Sequence, residues 1–525
     1  MNHQIVIDYI NKNYGRQLKK SVMYDKIEMW RTWLEGNVRG FHTYYMKTDL
    51  ADGKKRKKMR RNKTNMLLKG AEDWASILMN EKTEIVIDDE KSRNFVMGED
   101  EISGVLGDND FWRCANELIA TAMWSGTGAF EIYVKNMDIS DSSNELVSGS
   151  GIGINYLSAD QIIPISWDNT IAREIAFVSE RVIDGKDCYL VSLHTFNDEG
   201  TYDIEYFYLD EFGSKIDKEG YGNVIHTGST IPWFSIIRKS GVNVFDYDSP
   251  FGVSIISGAE DVLRGLDCAF DNFITDFILG RKMVFMSKSM FDNDENGNPV
   301  SPHEDDVQLF INAGDTLLND NKLFWSEYNP ALRVNENAAG LQKMLDLFSF
   351  RIGLGAHRYM LDKNAGIKTA TEYVGERQDM VQNAAKEMIC VEKALKEVTR
   401  AILWIGRNVL HEDVDPDALI TINADDSYII DSETEKEQWK KDIELGIRTK
   451  LEYRMHFYGE TEEEAKKNLQ PTFAELLEGR AVGVVSDAAV RQYLFPYETI
   501  EQSEKEVAEI KKSMPSLADM YVGEE

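Results

Sequence analysis

Between Met66 and Lys82 the apolar residues recur at Leu67, Ala71, Trp74, Ala75 and Leu78, a spacing that turns one face of a helix toward a core. EIVID, Glu84 to Asp88, alternates apolar and polar positions as a half-buried strand does. A second helical stretch runs from Phe111 to Ser125, after which the pattern changes to short strands punctuated by turns. AFEIYV, INYLSADQIIPISW, IAFVSERVIDGKDCYLVSLHTF, YDIEYFYLDEFG and IPWFSIIRK are rich in β-branched and aromatic residues and bounded by turn residues. They predict a mixed α+β region ending near Tyr247.

From Ser249 the pattern becomes helical. Ser249 reads as a cap with Pro250 at the first helical position, and Ile255, Val262, Leu266, Ala269, Phe273 and Phe277 fall on one face. The opposite stripe holds Glu260, Arg264, Asp267, Asp271 and Thr275. Residues 284–336 read as an excursion of short strands and turns, followed by a return helix from Ala338 to Ile352 with Leu341, Leu345, Phe348 and Ile352 on one face. Beyond Gly353-Leu354-Gly355 and a loop, a helix free of proline is predicted from about Thr369 to Leu410, roughly 60 Å long at 1.5 Å per residue. ALITIN and SYIID read as a strand pair. The remainder reads as short acidic helices with caps such as Thr461–Glu464 and Ser486-Asp487. There is no internal repeat and no low-complexity linker.

A chain of 525 residues with 42% hydrophobic side chains can bury several cores and form more than one domain. Its net charge of -31 is uneven. Residues 1–70 hold 17 basic and 6 acidic side chains (+11), which leaves 42 basic and 84 acidic (-42) for the rest. A small basic head and an acidic body therefore have different neighbours. KKRKKMRR, Lys54 to Arg61, reads first as a solvated loop or helix face, with nucleic-acid contact as the alternative. The cysteines, Cys114, Cys188, Cys268 and Cys390, are too scattered for a disulfide framework or structural zinc and fit a reducing compartment. The N-terminal residues lack a signal pattern and no long uncharged apolar run occurs, so synthesis in the cytosol and no membrane partner are expected.

Three stretches approach known chemistry and fall short. GIKT, Gly366 to Thr369, resembles the end of a phosphate-binding loop, but Ile367 separates glycine from lysine, the first glycine is missing and no strand precedes it. Thr369 and Glu372 instead form a capping box for the long helix. DNDENGNPVSPH matches a calcium loop over Asp292, Asp294, Asn296, Gly297 and Asn298. Its twelfth position is His303, and Pro299 and Pro302 forbid the exiting helix, so a hairpin tip is expected. GSGIG lies between strands and reads as a hairpin. No nucleophile elbow, HExxH pair or Cys/His cluster occurs; no enzyme activity, cofactor or metal is expected.

The order of these blocks, with AHRYMLDKNAGIKTATEYVGERQDM, EDWASILMNEKTEI and DALITINADDSYIIDSETEKEQWKKDIELGIRTKLEYRMHFYGETEEEA, resembles the portal proteins of tailed bacteriophages, in particular the SPP1-like siphophage portals. The resemblance covers about Lys57 to Gln470. It implies an α+β portal-protein fold with wing, helical stem, small α/β clip and helical crown, assembling into a ring. The implied boundaries are 1–70 for a basic N-terminal segment, 71–250 wing, 251–283 and 337–354 stem helices, and 284–336 clip. They continue with 355–368 tunnel loop, 369–411 long wing and crown helix, 412–440 wing strands and 441–525 crown.

The same resemblance implies a ring, usually of twelve subunits, at one capsid vertex of the virion, built in the host cytoplasm. Its implied partners are double-stranded DNA, the terminase large subunit, a head-completion adaptor, and the major capsid and scaffold proteins. An alternative is another DNA-associated structural or scaffolding virion protein. On this reading Lys363 and Lys368, with Glu260, Asp267 and Asp271, face the DNA channel. Ile255, Val262, Leu266, Phe273 and Phe277 form the subunit interface, and Phe291, Asp292, Asp294 and Asn296 dock the motor or adaptor.

Overall fold

The computed structural model describes residues 2–50, 53–99, 102–286, 325–361 and 370–424, with shorter stretches of 292–312 and 436–513; side chains are described outside 46–57, 286, 292–293, 299–300, 310–312, 325–326, 370–377 and 500–501. The chain forms two compact units, residues 1–429 and 430–525.

The N-terminal residues are not a separate basic head. Helix α1 (His3–Tyr14) sets Val6, Ile7 and Ile10, spaced for one helical face, in a core with Ile163, Ala176, Val191 and Phe207 of the largest sheet. Helix α2 (Met23–Leu34) carries Met23, Ile27, Trp30 and Trp33 into the main core, where Phe41 joins them. Arg31 spans from α2 to Asp160 at 2.7 Å. Burial pushes that carboxyl up, but the hydrogen bonds from Arg31 and Ser158 outweigh it and hold Asp160 below the ordinary aspartate range.

The cationic run is neither loop nor helix. Strand β1 (Thr43–Leu50) pairs antiparallel with β2 (Gly53–Arg60) in a two-stranded ribbon. Helix α3 (Met66–Leu78) follows, as the pattern of Leu67, Trp74 and Leu78 predicts, then β3 (Glu84–Ile87) and α4 (Phe111–Ser125).

Strands β4 (Thr127–Lys135) and β5 (Gly151–Ser158) begin the β region, and β6 (Ile162–Asp168), β7 (Ile171–Ile183), β8 (Lys186–Phe196) and β9 (Tyr202–Asp210) form an antiparallel meander. Strand β10 (Val224–Ser229) also pairs with β9, and β11 (Phe234–Arg238) pairs with β4. Glu131 on β4 ties the two sheets together. It accepts hydrogen bonds from Ser192 and from His194 Nε2 (3.2 Å) on β8, and from Asn155 Nδ2 (2.9 Å) on β5. Burial raises the Glu131 carboxyl, but His194, then Ser192 and Asn155, more than reverse this and hold it low.

Residues 249–259 are not helical, contrary to the sequence reading. Ser249 and Ser254 turn their hydroxyls to the backbone N–H groups two residues on, at 3.2 and 3.3 Å, a local bond that competes with helix formation. Gly252 donates to Thr127 Oγ1 (2.9 Å), and a Cβ there would stand 2.3 Å from Gly126 O. The helix proper, α5 (Glu260–Leu279), leads to a three-stranded sheet in which β12 (Met283–Met286) lies between β13 (Phe310–Asn312), parallel, and β14 (Trp325–Tyr328), antiparallel. Within the excursion, Asp292–Asn293 pairs with Pro299–Val300, the hairpin expected of the calcium-like stretch.

Helix α6 (Val334–Arg351) returns, and α7 (Ala370–Asn408) buries Met380, Ala384, Val391, Leu395, Val398 and Ile402 along the main core. Strand β15 (Ile420–Asn423) covers the last four residues of the predicted ALITIN strand, but its partner is β3. SYIID, and the capping box at Thr369, lie outside the described residues. In the second unit α8 (Lys450–Tyr458) and α9 (Ile500–Ser513) start with capping boxes at Thr449–Glu452 and Thr499–Gln502.

Candidate stem and channel surface

The antiparallel pair α5 and α6, with the small sheet between them, is the part of the chain that the sequence reading makes functional. The two helices meet closely where Gly265 faces Met344; a Cβ on Gly265 would stand 2.4 Å from the Met344 methyl carbon. At the body end Leu263, Leu266, Leu341, Leu345, Phe348 and Ile352 are buried in the main core. Gly70 of α3 admits Ile352, whose Cδ1 would lie 2.9 Å from an added Cβ, and Trp74 Nε1 donates to Ile352 O (3.0 Å).

At the other end the pair is latched by Asp276. It accepts from Arg333 N–H (3.0 Å), the Arg333 guanidinium (2.7 Å) and Asn337 Nδ2 (3.2 Å), and the Arg333 side chain and then its N–H hold the carboxyl below the usual range. Toward this end the apolar surface goes uncovered. Phe277, Ile278, Leu279, Leu332 and Val334 are exposed, as are Leu347 and Phe350 farther along α6.

This corrects the proposed interface face. Ile255 precedes the helix and, like Leu266, is buried in the chain's own core, so neither is free to meet a neighbour. Val262 and Phe273 are half-buried and Phe277 is exposed; Phe273 and Phe277 make an edge-on pair at 5.1 Å.

The acidic stripe is corrected as well. Asp267 is 3% exposed and saturated: Oδ1 accepts from Thr64 N (2.8 Å) and Thr64 Oγ1 (2.8 Å), and Oδ2 from His42 Nε2 (2.9 Å). Asp271 Oδ1 accepts from Asn62 N and Nδ2, both at 2.9 Å, and Arg61 lies 3.6 Å from Oδ2. Arg264 stacks over Phe41 at 5.0 Å. The stripe is a bracket for the root of the β1–β2 ribbon rather than a bare wall, and of the three acids only Glu260, half-buried in the first turn, is not used in it. The sequence reading did not find His42 and Thr64, since they lie more than 200 residues from Asp267 and no local pattern joins them.

Lys363 and Lys368 lie outside the described residues, but the chain leading to them is fastened at several points. Asn383 Nδ2 of α7 donates to Gly353 O (3.0 Å), and Ser349 Oγ to Gly355 O (2.6 Å). Gln342 of α6 holds both Tyr359 O (2.9 Å) and Leu361 N (2.9 Å), and Tyr359 OH donates to Asp73 of α3 (2.8 Å). Among the docking candidates Phe291, Asp294 and Asn296 are also outside the described residues, and Asp292 is placed only by its backbone pairing with Val300. Among the described residues no His/Cys/Asp/Glu cluster could hold a metal ion, and no helix is long and apolar enough to cross a membrane.

Residues 19–470 match the family described as phage portal protein, SPP1 Gp6-like. The chain belongs to this family. A portal is a structural component of the bacteriophage virion and its head–tail connector, not an enzyme. No curated protein matches the chain. Among solved structures it is similar to a chain of the virion of a native gene transfer agent particle, at 14% identity and a TM-score of 0.32 over 74% of this portal chain and 88% of the other. Over the same shares it is similar to chains of the neck of the native particle computed with C12 symmetry (14%, TM-score 0.34) and of the neck of the empty particle computed with C6 symmetry (12%, TM-score 0.34).

Proposed function

We propose that this portal chain assembles into a closed ring at one capsid vertex, usually of twelve subunits in its family, through which double-stranded DNA is packaged, retained and ejected. The observation that carries this reading is the uncovered apolar surface of the stem: Phe277, Ile278, Leu279, Val334, Leu347 and Phe350 on the helix pair, with Leu332 just before α6. A soluble monomer rarely leaves so many large apolar side chains exposed on one element, whereas a ring of head-to-tail contacts covers them on every copy. Val262, Phe273 and Phe277 remain as interface residues. In this reading residues 71–250 are the wing and 284–336 the clip, where the terminase large subunit and then a head-completion adaptor dock. Residues 355–368 form the tunnel loop, with Lys363 and Lys368 touching passing phosphates. Capsid and scaffold proteins surround the ring, which is built in the host cytoplasm.

Negative-stain microscopy of the purified protein tests the ring. Closed rings with a central hole support it, and monomers or open filaments count against it. Intact rings from Phe273→Asp would remove that residue from the interface. For the loop, Lys363→Ala with Lys368→Ala lowers the amount of DNA packaged, and unchanged packaging excludes the phosphate contact.

A further inference from the structure

We propose that the β1–β2 ribbon is a phosphate-binding arm for double-stranded DNA, distinct from the channel loop. Residues 43–61 hold eight basic and two acidic side chains. The register sets Lys54 opposite Asp49, Lys55 opposite Thr48, Arg56 opposite Lys47, Lys57 opposite Met46 and Lys58 opposite Tyr45. Successive strand positions belong to opposite faces. Lys54, Arg56, Lys58 and Arg60, with Lys47 of the paired strand, therefore belong to one face, which holds no aliphatic residue, while Lys55 and Lys57 share the other with Tyr44, Met46, Leu50 and Met59. No third strand joins the ribbon among the described residues. Lys58, Arg60 and Tyr45 are exposed.

Two strands alone are marginal in water, and a net charge of this sign on so few residues repels itself. The ribbon is held by its root. Arg61 N–H donates to His42 O (2.8 Å), the Arg61 guanidinium stacks over Phe41 (4.3 Å) and Tyr44 (5.3 Å), and Asp267 and Asp271 fix the residues on either side. The root thus spends its own anions on His42, Asn62 and Thr64.

The ribbon's partner is a duplex rather than an acidic protein because of linear charge density. On the face of Lys54, Arg56, Lys58 and Arg60 a cation recurs every second residue, about 6.6 Å apart at a rise of about 3.3 Å per residue. One strand of duplex DNA carries a charge about every 3.4 Å along the axis. The cations therefore meet about every second phosphate of one strand along an unbroken line of charge, whereas the 84 acids on the remaining 455 residues of this chain are interspersed with 42 basic side chains.

The test uses the full chain and a random-sequence duplex of about 30 base pairs, with binding followed by fluorescence anisotropy across a salt series. Replacing Lys54, Arg56, Lys58 and Arg60 together with Gln is expected to weaken binding at least tenfold at low salt and to flatten the slope of log K against log salt by about 3 to 4, near 0.9 per lost phosphate contact. The control K12Q/K186Q/K393Q/K505Q changes net charge equally and is expected to leave the slope in place. Equal affinity and slope in wild type and the ribbon variant would overturn the proposal. So would a ribbon variant that binds DNA normally but no longer assembles, since its partner would then be the acidic surface of a second copy. Binding is read on the chain whether or not it closes into rings, so failure here and failure of the ring in microscopy are separate results.

Discussion

Removing the Asp267 carboxylate should release the root of the cationic ribbon while leaving the main core folded. His42 Nδ1 accepts from Val38 N–H (3.0 Å), which places the ring proton on Nε2, the atom that faces Asp267 Oδ2. Asp267→Ala therefore strands three donors at a buried site: His42 Nε2–H, Thr64 N–H and Thr64 Oγ–H. Three buried donors left unpaired, at about 1–3 kcal/mol each, cost at least about 3 kcal/mol together.

Asp267→Asn keeps an acceptor for Thr64 but points an NH2 at His42 Nε2–H. The imidazole cannot shift its proton without losing Val38, so this change costs about 1–3 kcal/mol. The chain has two compact units, so a single global unfolding energy is ill-defined, and local hydrogen exchange is the better readout. The Arg61 amide bonds to His42 O and not to Asp267, which makes it an unbiased reporter. Its exchange should quicken roughly 10²- to 10³-fold in the Ala variant and about 10- to 100-fold in the Asn variant, at about 1.4 kcal/mol per tenfold. Protection unchanged in the Ala variant would refute the anchor, and Asn behaving as wild type would refute the tautomer assignment.

Phe348 and Phe350 lie two residues apart on α6 but face opposite environments, one fully buried and the other exposed. Phe348→Ala should cost about 3–5 kcal/mol in urea unfolding of the first unit, whereas Phe350→Asp should leave monomer unfolding within about 0.5 kcal/mol and lower the ring fraction in sedimentation. The Asp276 latch is pH-dependent with a known sign. Its carboxyl is held low in the folded chain, so its stabilisation is complete above the ordinary aspartate value of about 3.9 and is lost as pH falls through the lowered folded value. Exchange of the Arg333 amide across an acid titration should show protection persisting below the ordinary range; protection lost already near pH 5 would rule the latch out. Glu387 joins α7 to the body by accepting from Ser240 N (2.8 Å) and Ser240 Oγ (2.6 Å), with Lys239 at 3.3 Å. Glu387→Ala should quicken exchange of the Ser240 amide by at least tenfold.

Elements whose information is local were readable in advance. The helix Phe111–Ser125 and the proline-free long helix were legible as helical runs, and the strands from Thr127 to Arg238 as β-branched and aromatic segments between turn residues. The start of α5 was not readable, because Ser249 and Pro250 satisfy a capping pattern that the chain uses for tight turns against Gly126 and Thr127 instead. The apolar face of α5 was visible in sequence, but not its division between the core and the uncovered surface: Leu266 and Phe277 look alike in a helical projection and differ only in what reaches them.

By itself, then, the sequence determined the order of helices and strands, the cationic run, the absence of a catalytic pattern and the resemblance to phage portals, since periodicity, charge and block order are properties of neighbours along the chain. Tertiary structure alone decided that the basic segment is a ribbon whose root is gripped by Asp267 and Asp271. It likewise decided that β15 pairs with β3 across more than 330 residues, and that Ile255 is core rather than interface. These outcomes depend on which buried donors and acceptors find each other when the chain folds, and a one-dimensional pattern does not carry that pairing.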